Sequence, residues 1–262
     1  MHVPNSMVQG AICPVTAAIS AVGVAVATYY AVKAENKPTA ARFGAITALI
    51  FAGQMMNFPI QHGTSGHLLG GVLAAALLGT PFGILAMALV VAIQCLVFSD
   101  GGFSVLGANI LNMALIGAGL GGFIRTRLLN NSLSPQSFKG MITLSSIAWL
   151  SIMMAALTCS IELAVSGTIA FSKVAGAMLG THALIGIGEG VITVAACFLF
   201  ATAPTSTSKR WFAAAPLMAS VVIATMLSPF ASGFPDGLEW VAGKYQFLHD
   251  AAPSFVSPLP DY

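Results

Sequence analysis

Charge is what this sequence has least of. Of its 262 residues only 7% are Asp, Glu, Lys or Arg, while 57% are hydrophobic; a soluble domain carries about 25% charged residues. A soluble core of this size would need a charged surface that the chain cannot supply, so the soluble class is excluded. No Lys or Arg precedes Lys33. The opening Met1-His2-Val3-Pro4-Asn5-Ser6 therefore lacks the basic segment of a cleavable secretory signal and is expected to stay in the mature protein. The four cysteines, Cys13, Cys95, Cys159 and Cys197, show no C-x-x-C spacing and lie in apolar stretches, as small buried hydrophobes do. A net charge of +2 gives no case for nucleic-acid binding.

What the chain has instead is long apolar runs, bounded by turn and charge signals near 11–32, 41–58, 67–79, 82–98, 104–124, 141–166, 182–202 and 212–231. They predict an all-α polytopic membrane helix bundle of about eight membrane segments. Residues 68–98 form one run broken by Gly79-Thr80-Pro81-Phe82-Gly83. As a single helix it would be about 46 Å long against a hydrocarbon core of roughly 30 Å, so a break at the glycines and proline is expected. With two crossings there, Lys33, Lys37, Arg42, Arg125, Arg127, Lys139, Lys209 and Arg210 share one side, eight of the ten basic residues. Basic loops mark the cytoplasmic face. The amino terminus, the loop 59–66, the loop at Asp100 and the tail after residue 232 then face outward, as do Asp100, Asp236, Glu239, Asp250 and Asp261.

His2 carries the first chemical signal. The Met1 amine, the His2 amide and one His2 ring nitrogen are covalent neighbours that can wrap a metal in small chelate rings at little entropic cost. A planar nitrogen set suits Ni²⁺ and Cu²⁺ rather than Zn²⁺, and it leaves a position for a fourth donor. His67, at the outward start of the third segment, is one candidate, because ionisable groups in membrane segments point to function. His62, five residues earlier, is a rival or a ligand on the path by which metal arrives. His182 is read as opening the seventh segment at the outer face, and His249 as a solvated tail residue. Asn57, Asn109 and Asn112 are amides near or within segments, suited to interhelical hydrogen bonds or to orienting a ligand. Glu189 reads as the one carboxylate placed well inside a span. Ala17, Ala21 and Ala25, and likewise Gly117 and Gly121, form small-residue faces for helix docking.

Several blocks together resemble a known family. Met1-His2-Val3-Pro4, Asn57-Phe58-Pro59-Ile60 through Gly63-Thr64-Ser65-Gly66-His67-Leu68-Leu69-Gly70-Gly71, Asp100-Gly101-Gly102, Gly107-Ala108-Asn109-Ile110-Leu111-Asn112-Met113 and His182-Ala183-Leu184-Ile185-Gly186-Ile187-Gly188-Glu189-Gly190 are similar to the nickel/cobalt substrate-binding subunits (CbiM/NikM) of energy-coupling-factor transporters. The resemblance implies an amino terminus inserted into the bundle, with metal held by the Met1 amine, the His2 amide and ring, and the His67 ring. Ser65, Asn57, Asn109, Asn112, His182 and Glu189 are then expected around the site or at its gate. It further implies a transmembrane coupling subunit and two cytoplasmic ATPases as partners, since the chain has no Walker motif. The location implied is the cell membrane, among lipid, with the amino terminus outside. Asn5-Ser6 stands where the family usually has Asp-Gly. The tail motif Phe234-Pro235-Asp236-Gly237-Leu238-Glu239-Trp240 resembles the small accessory (NikN-like) subunit, which normally has a second span after this loop. The expected organisation is a metal-binding core at 1–205 and a fused, shortened accessory segment at 206–262.

The expected function is capture of Ni²⁺ as transported substrate, with Co²⁺ as the alternative. Two other classes compete. An intramembrane metalloenzyme needs an open metal position beside a general base, and no H-E-x-x-H motif is present. A channel or secondary carrier would normally carry a polar line through several spans.

Overall fold

A bilayer core offers the backbone no water, so an apolar chain must satisfy its amides internally, and a helix does so within one segment. The computed structural model describes residues 2–61, 63–129, 137–201, 211–248 and 257–259. In chain order these form α1 (Ile12–Lys33), α2 (Ala40–Gln54), a two-residue antiparallel pair β1 (Phe58–Pro59) and β2 (Ser65–Gly66), α3 (Gly71–Leu78) and α4 (Thr80–Phe98). There follow α5 (Leu106–Ile110), which runs through π-helical turns at Leu111–Leu120 into α6 (Gly121–Leu128), then α7 (Phe138–Val165), α8 (Phe171–Ala201), α9 (Trp211–Val222) and α10 (Gly237–Lys244). The all-α expectation holds.

The count of segments does not hold as stated. Among the described residues six helices are long and apolar enough to cross a membrane. The 15-residue α2 and the 8-residue α3 fall short; α3 is only about 12 Å long at 1.5 Å per residue. The expected break is present, because Gly79 (φ 87°) ends α3 and Thr80 starts α4. Pro81 sits in the first turn of α4, where its missing N–H leaves no helical bond unmade. The third segment begins at Gly71 instead of residue 67, since Gly70 is left-handed (φ 78°) and residues 67–70 are not helical. The seventh begins at Phe171 rather than 182, which places His182 well inside α8 and not at a helix start.

The half-helix α3 is the centre of the bundle, with Gly71, Val72, Leu73, Ala74, Ala75, Leu77 and Leu78 all buried. Close approach is what glycine supplies here: a Cβ on Gly71 would strike the Gly117 backbone, and one on Gly121 would lie 2.6 Å from Val72. The small face at Gly117 and Gly121 thus seats α3. The face at Ala17, Ala21 and Ala25 has a different fate, since all three are exposed. α1 buries Thr16, Ser20, Ala27 and Ala31 instead, and the Ser20 hydroxyl donates to the Gly107 carbonyl at 2.7 Å. Gly107 packs so close that a Cβ there would meet the Ala17 backbone.

These contacts separate the two small-residue faces experimentally. Gly107→Val should destabilise the chain by about 1–3 kcal/mol, as overpacking does, read as a lower unfolding midpoint in detergent. Ala21→Val, on the exposed face, should leave that midpoint unchanged.

Candidate metal centre

Residues 2–4 lie outside any helix, and such backbone inside a bundle needs partners. The Asn109 side chain supplies two of them. Its Oδ1 accepts from the Val3 N–H at 2.8 Å, and its Nδ2 donates to the Val3 carbonyl at 3.1 Å. The Gly102 N–H donates to the same carbonyl at 2.9 Å. Asn5 Oδ1 accepts from the Ser104 amide and hydroxyl at 3.0 and 2.8 Å, so the neutral amide at this position serves as an acceptor. Val3, Met7 and Val8 are buried, and Thr168 donates to the Met7 carbonyl at 2.6 Å. The Asp100-Gly101-Gly102 motif is glycine-rich because this strand lies on it: at Gly101 (φ 88°) a Cβ would fall 2.8 Å from the Asn109 amide.

The threading places His2 beside His67. Their rings stack with centroids 5.4 Å apart and planes 10° apart, and each residue is under a tenth exposed. His2 Nε2 lies 3.1 Å from Gln94 Oε1, and Nδ1 lies 3.2 Å from Asp100 Oδ1. Each ring nitrogen of His2 thus faces an oxygen, and Nδ1 is the one nearer the His2 amide. His67 Nδ1 donates to the Leu68 carbonyl at 2.9 Å, which assigns the lone pair to Nε2. That atom faces Asp236 Oδ2 at 3.8 Å. Burial opposes ionisation of Asp100, but the neighbouring His2 ring helps hold its carboxyl below the usual value. Burial likewise opposes ionisation of Asp236, yet the His67 contact helps hold it well below the carboxylate range.

The loop that carries His67 is held from two helices. Glu189 on α8 accepts from the Leu69 and Gly70 amides at 2.7 and 2.8 Å, at the amino end of α3 where a negative charge is favoured. Gln54 on α2 donates to the Leu69 carbonyl at 2.6 Å. Glu189 therefore shapes the turn, and it is not the only carboxylate within a span: Glu162 on α7 is also buried and accepts from Asn112 at 2.7 Å. Asn112 thus turns to α7, not to the histidines. His182 bonds the Met178 carbonyl one turn back at 2.8 Å and lines a small void with His67 and Gly237.

The tail closes over this arrangement. Ser65 donates to the Phe234 carbonyl at 2.7 Å from its hydroxyl and to the Pro235 carbonyl at 2.8 Å from its amide. The Ser232 amide donates to the Asn57 carbonyl at 2.8 Å. Farther on, the Leu259 amide donates to the Val97 carbonyl and Ser257 bonds Ser99. Between these contacts lies a cavity of about 270 Å³ lined by His2, His67, Asn57, Asp100, Asp236 and Glu239 among others.

Of the residues singled out from sequence, the structure brings together His2, His67, Asn57, Ser65 and Asn109, with Glu189 and His182 behind them. Met1 and His62 lie outside the described residues, as does His249. Gln94 and the placement of Asp236 were missed. A lone amide within the apolar run Val90–Cys95 was the available signal for the first; nothing local reports where a tail folds back. Among the described residues no three His, Cys, Asp or Glu side chains converge in a form ready for a metal.

Comparison with known proteins identifies the family. Residues 2–206 match the family described as the cobalt uptake substrate-specific transmembrane region, CbiM, and residues 210–262 match the PDGLE domain. The chain is 34% identical over its whole length to a putative fused nickel transport protein, NikMN, of Archaeoglobus fulgidus, covering 88% of that protein. It is 32% identical to the cobalt transport protein CbiM of Sorangium cellulosum over 62% of this chain and 73% of that one. A crystal structure of a truncated transition metal transporter superposes with a TM-score of 0.66 at 29% identity, covering 76% of this chain and 97% of the other. The chain belongs to the CbiM family of substrate-specific transmembrane proteins, and a PDGLE domain follows in the same polypeptide.

Proposed function

We propose that this protein is the substrate-capturing component of an energy-coupling-factor importer, taking Ni²⁺ from the outer face of the cell membrane. Its relatives are named as transport proteins, which favours a transporter component over an intramembrane metalloenzyme. The observation that carries the reading is the buried strand that stacks His2 on His67. In this reading the Met1 amine, the His2 amide and Nδ1, and His67 Nε2 form a planar nitrogen set around the cargo. The hydrogen bond from His67 Nδ1 to the Leu68 carbonyl supports it, because it leaves Nε2 as the ring nitrogen turned toward His2 and Asp236. Such outer bonds orient metal-binding imidazoles in general. Co²⁺ is the second reading, favoured by the cobalt description of the matching family.

The rest of the machinery follows from what the chain carries. With no Walker motif, it relies on a transmembrane coupling subunit and two cytoplasmic ATPases for energy. Residues 1–205 form the metal-binding core, and 206–262 an accessory segment. Lys33, Arg42, Arg125, Arg127 and Lys139 lie at the helix ends remote from His2 and His67. That distribution supports an outward amino terminus.

Four expectations test the reading. Titration of purified protein with Ni²⁺ and Co²⁺ should show one tight site that is lost in His2→Ala and His67→Ala. Adding one residue ahead of Met1 should abolish it as well, because the amine is displaced; intact nickel binding in that variant would sink the amine-chelate reading. Asn109→Leu, which removes both side-chain bonds to Val3, should weaken nickel affinity about 10–100-fold, the usual scale for an orienting partner. Glu189→Gln places an amide group against the Leu69 and Gly70 N–H groups and should weaken affinity on a similar scale, measured by calorimetry.

A further inference from the structure

Among the described residues two carboxylates lie in the membrane-spanning helices, Glu162 on α7 and Glu189 on α8, and their surroundings differ. Glu189 has an N–H donor for each oxygen, the Leu69 amide on Oε2 and the Gly70 amide on Oε1. Glu162 has one donor, the Asn112 side chain, whose Nδ2 meets Oε2 at 2.7 Å. Among the described residues Glu162 Oε1 has no hydrogen-bond partner, and neither has Asn112 Oδ1. Both side chains are buried, Glu162 to 2% exposure and Asn112 to 0%, and buried polar atoms in folded proteins are nearly always bonded. Each member of this pair thus has one acceptor unmatched. An ionised carboxylate has no proton to give an amide oxygen, whereas a carboxylic acid has one. With N–H on one oxygen and O–H on the other, acid and amide close a ring of two hydrogen bonds. Charge gives no competing solution, because no described Lys, Arg or His pairs with Glu162. The titratable groups in electrostatic contact with it are Cys159, one turn earlier on α7, and Cys13 near the start of α1. A thiol supplies no positive charge, and a buried carboxyl group without a countercharge takes its neutral form.

We propose that Glu162 is a proton-binding site: the neutral acid donates from Oε1 to Asn112 Oδ1, accepts from Nδ2 at Oε2, and so latches α7 to the π-helical turns. The place of Asn112 gives the latch its consequence. Asn112 lies one turn beyond Asn109 in the continuous segment Leu106–Leu120, and Asn109 holds the Val3 amide and carbonyl. α7 thereby fixes the segment that orients the amino-terminal strand and its His2 ring. Loss of the proton removes one of the two hydrogen bonds and leaves a buried anion without a countercharge, so the latch weakens as pH rises. Glu189 has no such switch, since its two oxygens already accept from backbone N–H groups.

The test compares the purified full-length chain with Glu162→Gln and Glu189→Gln. Gln reproduces the neutral acid, with an amide N–H in place of the acid O–H, so Glu162→Gln keeps both bonds to Asn112 and has no proton to lose. Infrared spectra at neutral pH should show a neutral-carboxyl C=O band that is lost in Glu162→Gln and retained in Glu189→Gln. Thermal unfolding midpoints of the parent and Glu162→Gln should coincide at neutral pH. As pH is raised the parent's midpoint should drop below that of Glu162→Gln, and the band should fade over the same interval. A carboxyl band that Glu162→Gln leaves unchanged overturns the proposal. So does a Glu162→Gln midpoint below the parent's at neutral pH, or a pair of midpoints that track each other at every pH. These readouts need no metal, so a parent chain that binds no Ni²⁺ would overturn the function proposed above while the spectra and midpoints still decide the proton site.

Discussion

The pairing of one asparagine side chain with one residue of backbone is the constraint on which the arrangement hangs. Non-helical chain at membrane depth survives only where protein satisfies its amides, and each polar group left alone there would cost several kcal/mol. Asn109 meets both demands of Val3 at once, donating to its carbonyl and accepting from its amide, as a neighbouring strand would. Gly102 adds a second donor to that carbonyl. No residue with a Cβ could replace Gly102, because the Asn5 backbone occupies that space. The direction of the first residues follows from these bonds, and with it the position of the His2 ring.

The opposite half of the site is built on the same principle with a charge in place of an amide. Glu189 would be costly in the bundle as an unpartnered ion, yet both of its oxygens accept from the backbone of the His67 loop. The α3 half-helix thereby gains an anion at its amino end, and the loop gains a fixed course. Gln54 takes the Leu69 carbonyl in the same way. Asn109, Gln54 and Glu189 thus hold irregular backbone in place. That gathers these polar groups around His2 and His67 at one end of the bundle.

Much of this was legible from the residues alone, and the misses have physical causes. Long apolar runs reported helices because burial in lipid demands them, and Gly79 with Pro81 reported the break between α3 and α4. The amino-terminal histidine and His67 were legible because position two and a glycine-rich loop are chemically unusual places for imidazole. Boundaries were not: the start of α8 at Phe171 was missed because Ser172 and Lys173 look like loop while they sit in a first helical turn. Glu162 was overlooked for a similar reason, since it lies near the end of a long helix, in a position where carboxylates are commonly solvated. The role of Asn112 followed it, because a hydrogen bond between α7 and the π-helical turn depends on packing that no local pattern encodes.

The tail shows why joining two domains in one chain changes the energetics. Its described contacts with the core around the site combine hydrogen bonds, through Asn57, Ser65, Val97 and Ser99, with the buried side chains Leu238, Val241, Ala242 and Phe247. Each such bond contributes about 0.5–1.5 kcal/mol net. A separate accessory protein held by these alone would first have to offset the loss of translational and rotational freedom, about 4 kcal/mol or more. Within one polypeptide that loss is largely absent, because the linker sets a high effective concentration. A modest set of contacts then suffices to keep Asp236 beside His67. Leu238, Val241, Ala242 and Phe247 belong to the same buried cluster as the helices from α2 to α8. The tail is thus packed as part of the bundle, and its hydrogen bonds to Asn57 and Ser65 set its register beside the two histidines.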